Sequence, residues 1–93
     1  MKVSDNTRTS DSHTAQKFKA AMQRAKRGDR ARARQLFMEV LEVDPNNEEA
    51  WLWLAGVAAT LEDAKVYLET VLAINPEHKK AREGLRWLSK QLG

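Results

Sequence analysis

The chain has no cysteine, and only two prolines and four glycines among its 93 residues. Without cysteine there is no disulfide framework, so an apolar core must hold a domain of this size together. The scarcity of glycine and proline speaks against a turn-rich β-sandwich, and a hydrophobic content of 42% is too high for a disordered chain. Long apolar runs are also missing. The longest, residues 50–59, is half the length of a membrane span, and the polar first residues contain no apolar signal segment. The expectation is an all-α protein, soluble and cytoplasmic, with no membrane insertion.

Charge is scarce in sum and uneven in place. The formal net charge is +3. Residues 1–34 hold ten Lys/Arg against three acids, residues 35–76 hold one against eight, and residues 77–93 hold five against two. The chain is basic at both ends and acidic in the middle. Such a pattern can steer an acidic partner or let copies associate end to middle, while the balanced total argues against nucleic acid as the default ligand.

Residues 1–12 are rich in Ser, Thr, Asp and Asn, show no apolar periodicity, and are expected to form a disordered tail. A first helix is expected from near His13, with Phe18, Ala21, Met22 and Ala25 on its apolar face and Gly28 at its end. Asp29 then caps a second helix whose stripe is Ala33, Leu36, Phe37, Val40 and Leu41. Asp44-Pro45 opens a third helix with proline in its first turn, and this helix is apolar on every side from residue 50 to 59, which predicts neighbours on both flanks. Thr60 with Asp63 forms a capping sequence for a fourth helix carrying Ala64, Tyr67, Leu68, Val71 and Leu72. Asn75-Pro76 introduces a fifth, with Ala81, Leu85, Leu88 and Leu92 on one face and Lys79, Lys80, Arg82, Arg86 and Lys90 on the other. The expected organisation is hairpins at 13–44 and 46–74 followed by a helix at 77–92.

An internal repeat ties these elements together. A shift of 31 residues lays Ala33 on Ala64, Val40 on Val71, Leu41 on Leu72, Pro45 on Pro76, Ala50 on Ala81 and Leu54 on Leu85. A period of this size means that one helical hairpin is copied, and that stacking buries what each copy cannot bury alone. Ala33, Phe37 and Pro45, then Ala64, Leu68 and Pro76, together with Trp51, Leu54 and Ala55, resemble the tetratricopeptide repeat family. The segment Ala-Trp-Leu-Trp-Leu-Ala at 50–55 is similar to short bacterial two-repeat domains of that type. The second copy departs from the family in its turn, which is three residues shorter than the first and lacks glycine, and Ala58 stands where the family has tyrosine. The resemblance implies stacked antiparallel hairpins in an α-α superhelix, whose first helices line a concave groove. That groove would present Phe18, Met22, Leu52, Gly56 and Lys80. Some family members clamp a terminal carboxylate there, but Phe18, Met22, Gly56 and Gly84 occupy most of the matching places, which speaks against such a clamp.

Chemistry has few candidates. The only histidines, His13 and His78, sit at predicted helix starts, beside no nucleophile and at no metal-ligand spacing. Glu48 with Glu49 and Glu62 with Asp63 fall in first helical turns, where negative charge offsets the macrodipole. No glycine-rich phosphate loop is present. The expectation is a non-catalytic protein-interaction module or scaffold without cofactor or metal, binding another protein or peptide. Phe18 and Met22 serve equally well as ordinary core. Trp53 and Trp87 lie off the best stripes of their helices and would anchor a partner or a second copy if exposed. Self-association is one alternative. Weak nucleic-acid binding through Lys26, Arg27, Arg30, Arg32 and Arg34 is the other, though these charges share no narrow face and no aromatic residue is interleaved.

Overall fold

Four apolar stripes and one run that is apolar all round become five α-helices. The computed structural model describes the backbone of residues 2–93 and the side chains of residues 13–93. The helices are α1 (Lys2–Lys26), α2 (Arg30–Val43), α3 (Glu48–Gly56), α4 (Leu61–Ile74) and α5 (Lys79–Leu92). Each packs on the one that follows, most closely within the pairs α1 with α2 and α3 with α4, and together they form one compact all-α domain. Helical backbone is continuous from Lys2 rather than starting near His13. The reading of residues 1–12 as a tail falls outside the described side chains.

Local chemistry accounts for the breaks. Gly28 adopts a φ of +87°, a left-handed conformation that a side chain disfavours. Its amide donates to Ala25 O and the next amide, of Asp29, donates to Arg24 O, which closes α1 with a Schellman motif. The prolines lie outside the helices. Pro45 and Pro76 occupy the second position of turns in which Asn47 N donates to Asp44 O (3.2 Å) and His78 N to Asn75 O (3.1 Å). The expected first-turn proline is therefore corrected, because α3 begins at Glu48 and Asn47 supplies its cap.

The repeat extends to the hydrogen bonds. Asp29 caps α2 by accepting from Arg32 N, and Thr60, 31 residues on, caps α4 by accepting from Asp63 N. Asn47 Oδ1 accepts from Ala50 N, and at the equivalent place His78 Nδ1 accepts from Ala81 N. An imidazole nitrogen that accepts an amide hydrogen carries no proton, so the ring proton is assigned to Nε2, which lies 4.0 Å from Glu48 Oε1. Asn75 Nδ2 donates to the same carboxylate oxygen at 3.0 Å and joins the second proline turn to the start of α3.

The third helix is shorter than its apolar run. It ends at Gly56 instead of near residue 59, and residues 57–60 form the turn. Glycine is a poor helix interior residue, and Thr60 must be extended to cap α4. Two arginines complete the explanation. Arg34 Nη1 donates to Val57 O at 2.7 Å and Arg30 Nη2 donates to Gly56 O at 3.3 Å, taking up carbonyls that a longer helix would have used. Positive charge at a helix C-terminus also complements its dipole.

Two apolar clusters form the core. The first joins α1, α2 and α3 through Ala21, Phe37, Val40 and Leu54, and the second joins α4 and α5 through Ala64, Leu68, Val71, Ala81 and Leu88. Trp51 packs against both. Its indole Nε1 donates to Pro45 O at 2.8 Å, and its ring lies 5.9 Å from that of Tyr67. The two clusters thus meet at Trp51, while Leu54 is buried within the first. Ala55 and Ala64 keep α3 and α4 close within the second.

Candidate interaction cleft

The seven residues singled out from the sequence do not share one surface. Leu52, Gly56, Lys80 and Trp87 line an open cleft of about 560 Å³ between α3, α4 and α5. Phe18 and Met22 line a separate depression of about 640 Å³, bounded by α1 and the start of the first proline turn. Both also pack against the first core cluster, Phe18 meeting Phe37 edge to face at 5.6 Å. Trp53 enters neither space. It stacks on Phe37 with centroids 5.9 Å apart and planes 22° from parallel, as a partly buried core member.

The cleft follows from the repeat. Under the 31-residue shift, Phe37 and Trp53 correspond to Leu68 and Gly84. The first half stacks two aromatic rings where the second has a leucine and no side chain, and both of those residues line the cleft. Glycine at residue 84 lets α5 approach α4 there without displacing Leu68, since a Cβ would lie 2.8 Å from Leu68 Cδ1. Gly56 leaves the opposite wall open. A Cβ at that position would meet nothing within 4 Å.

Trp87 stands where α3 has Gly56, and it remains 55% exposed at the side of the cleft. An amphipathic indole held half in water is costly to leave uncovered and well suited to a partner's apolar surface. Alanines and Leu61 from the 57–60 turn and the start of α4 continue the apolar lining. Two charged residues border it, Arg30 from α2 and Lys80 from α5.

The other chemical candidates fall at structural places. His78 is a helix cap, His13 is exposed on α1, and Glu48 accepts from Asn75. Glu62 and Asp63 occupy the first turn of α4. Among the described residues, no three His, Asp or Glu side chains gather as a metal-binding group would require, and no helix is long and apolar enough to cross a membrane.

Arg30, Leu61, Leu68 and Gly84 belong to the cleft but were not singled out as site residues. The repeat contained the signal for two of them, since an aromatic pair in one copy is replaced by Leu68 and Gly84 in the other. Fold and cleft together define a class, an all-α domain of five sequentially packed helices with an open apolar cleft beside its second core. No protein-family model matches the chain, and no curated protein is found to be similar to it.

Proposed function

We propose that this chain is a non-catalytic protein-interaction module of the tetratricopeptide type, and that its partner docks in the cleft between α3, α4 and α5. The observation that carries this reading is a cleft of about 560 Å³ with a mainly apolar lining and the half-exposed Trp87 at its side. Apolar concavities with few polar groups are the usual form of a binding site. The duplicated caps and proline turns, spaced by 31 residues, support the repeat assignment.

A selection of displayed peptides on the folded chain tests it, repeated with Gly56→Gln and with Trp87→Ala. The glutamine fits without collision at its Cβ and narrows the cleft. Enriched peptides are expected to lose at least tenfold in affinity for both variants and to keep their affinity for Met38→Glu, a change on the exposed side of α2. Unchanged affinity for Gly56→Gln and Trp87→Ala would remove the cleft from the proposal.

Self-association is a second reading, favoured by the exposure of Trp87, Leu61 and Leu92. Sedimentation showing only monomer at micromolar concentration would count against it. The nucleic-acid alternative loses support because Arg34 is committed to Val57 O of the neighbouring hairpin, which takes one cation out of the run.

A further inference from the structure

The charge pattern of the chain converges on the cleft. Arg30 comes from the basic first segment and Lys80 from the basic last one, and folding brings both to a space whose remaining lining is uncharged. The acids that begin α4, Glu62 and Asp63, do not line it. We infer that the cleft is specific for an acidic peptide segment carrying one bulky apolar side chain, with Arg30 and Lys80 meeting carboxylates on either side of that side chain. This inference rests on the interaction reading above and adds the chemistry of the partner to it.

The two arginines of α2 that touch α3 are not equivalent. Arg34 is partly buried and makes the short bond of 2.7 Å to Val57 O, so it is committed to the fold. Arg30 is exposed, and its bond to Gly56 O is 3.3 Å long. A carboxylate is a stronger acceptor for a guanidinium than a neutral carbonyl, so a ligand can draw Arg30 across the cleft while Arg34 keeps α3 capped. Lys80 makes no hydrogen bond or ion pair among the described residues and spends its charge on no internal partner. The apolar floor offers a place for one large side chain against Trp87 and Leu52. Selectivity for acidic flanks follows because the two positive charges repel basic segments and speed the approach of acidic ones.

The test uses three short synthetic peptides: a phenylalanine flanked on each side by two glutamates, the same peptide with glutamines, and the acidic peptide with alanine in place of phenylalanine. Affinity is read by fluorescence anisotropy, and the site by the indole N–H signal of Trp87 in nuclear magnetic resonance spectra, assigned with Trp87→Phe. The acidic phenylalanine peptide is expected to shift the Trp87 signal and to bind at least fivefold tighter than either of the others. Arg30→Gln and Lys80→Gln should each weaken it about threefold to tenfold and leave the glutamine peptide unaffected. Lys80→Gln keeps the test sound should Arg30→Gln disturb the fold.

Equal or tighter binding of the glutamine peptide, with the Trp87 signal shifted, overturns the acidic specificity and leaves the interaction reading standing. Binding of the acidic peptide that leaves Trp87 unmoved and is weakened as much by Arg32→Gln overturns it in favour of diffuse surface attraction. A Trp87 signal that no peptide moves, in a chain that sediments as a dimer, overturns both this inference and peptide docking, because a second copy then fills the cleft.

Discussion

The two halves of this domain share their hydrogen bonds and differ in what they enclose. The caps at Asp29 and Thr60 and at Asn47 and His78 each accept from the amide three residues on, and the turns at Pro45 and Pro76 are closed by the same bond. The first half then fills its interior with Phe18, Phe37 and Trp53 in successive ring contacts, whereas the second places Leu68 beside Gly84 and leaves a cleft. The backbone plan therefore sets where helices start and stop, while side-chain volume at two positions decides whether a half is filled core or open cleft. A duplicated scaffold lends itself to this division, because one copy can supply stability while the other gives up packing for a partner.

The largest effect expected from breaking that contrast is at Phe37. It is fully buried and contacts both other rings of the first half. Phe37→Ala should cost about 3–5 kcal/mol, a large part of the stability of a domain this small. Leu68→Ala, at the equivalent place, should cost only about 2 kcal/mol, since Leu68 already borders an open space on one side. Urea denaturation of the two variants measures the difference. Equal losses would mean that the second half is as tightly filled as the first, and the cleft would not be a consequence of the missing ring.

A smaller effect separates the arginines at the junction of the halves. Arg34→Met keeps most of the apolar stem but removes a charge-assisted bond to Val57 O, and should cost about 1.5–3 kcal/mol. Arg30→Met should stay within about 0.5 kcal/mol, as its bond is long and exposed. Chemical denaturation of both checks the ranking. A comparable loss at Arg30 would make it a structural cap like Arg34 and weaken its assignment to the cleft.

The caps should behave alike in both halves, at about 1 kcal/mol each for Asp29→Ala and Thr60→Ala, read from denaturation midpoints. These caps were legible in the sequence, as were the stripes of α2 and α4, because both depend on neighbours within a turn or two. Other features depend on neighbours far along the chain. The third helix is apolar on every side, so its pattern gives no direction, and nothing local says that Trp53 turns toward Phe37 while Leu52 turns toward the cleft. The basic run likewise showed no periodicity that would separate Arg34, bonded to a residue 23 positions away, from its solvated neighbours. Phe18 and Met22 were placed in the same groove as Leu52 by analogy with a regular array. The structure divides them because the two cores fill differently.

The finest test of the contrast lies at Gly84, where two effects of similar size oppose each other. Replacing a glycine inside a helix with alanine is worth about 1 kcal/mol in helix propensity. At this position the new Cβ would sit 2.8 Å from Leu68 Cδ1, and relieving such an overlap in a packed interior costs about 1–3 kcal/mol. Gly84→Ala should therefore destabilise the natural chain by about 1 kcal/mol. The colliding atom is the end of a side chain rather than backbone, so the penalty belongs to the pair. In a Leu68→Ala background the same change should stabilise, by up to about 1 kcal/mol, because propensity is then unopposed. A double-mutant cycle by urea denaturation reads the reversal directly. The same sign in both backgrounds would show that glycine at 84 is not required by the approach of Leu68.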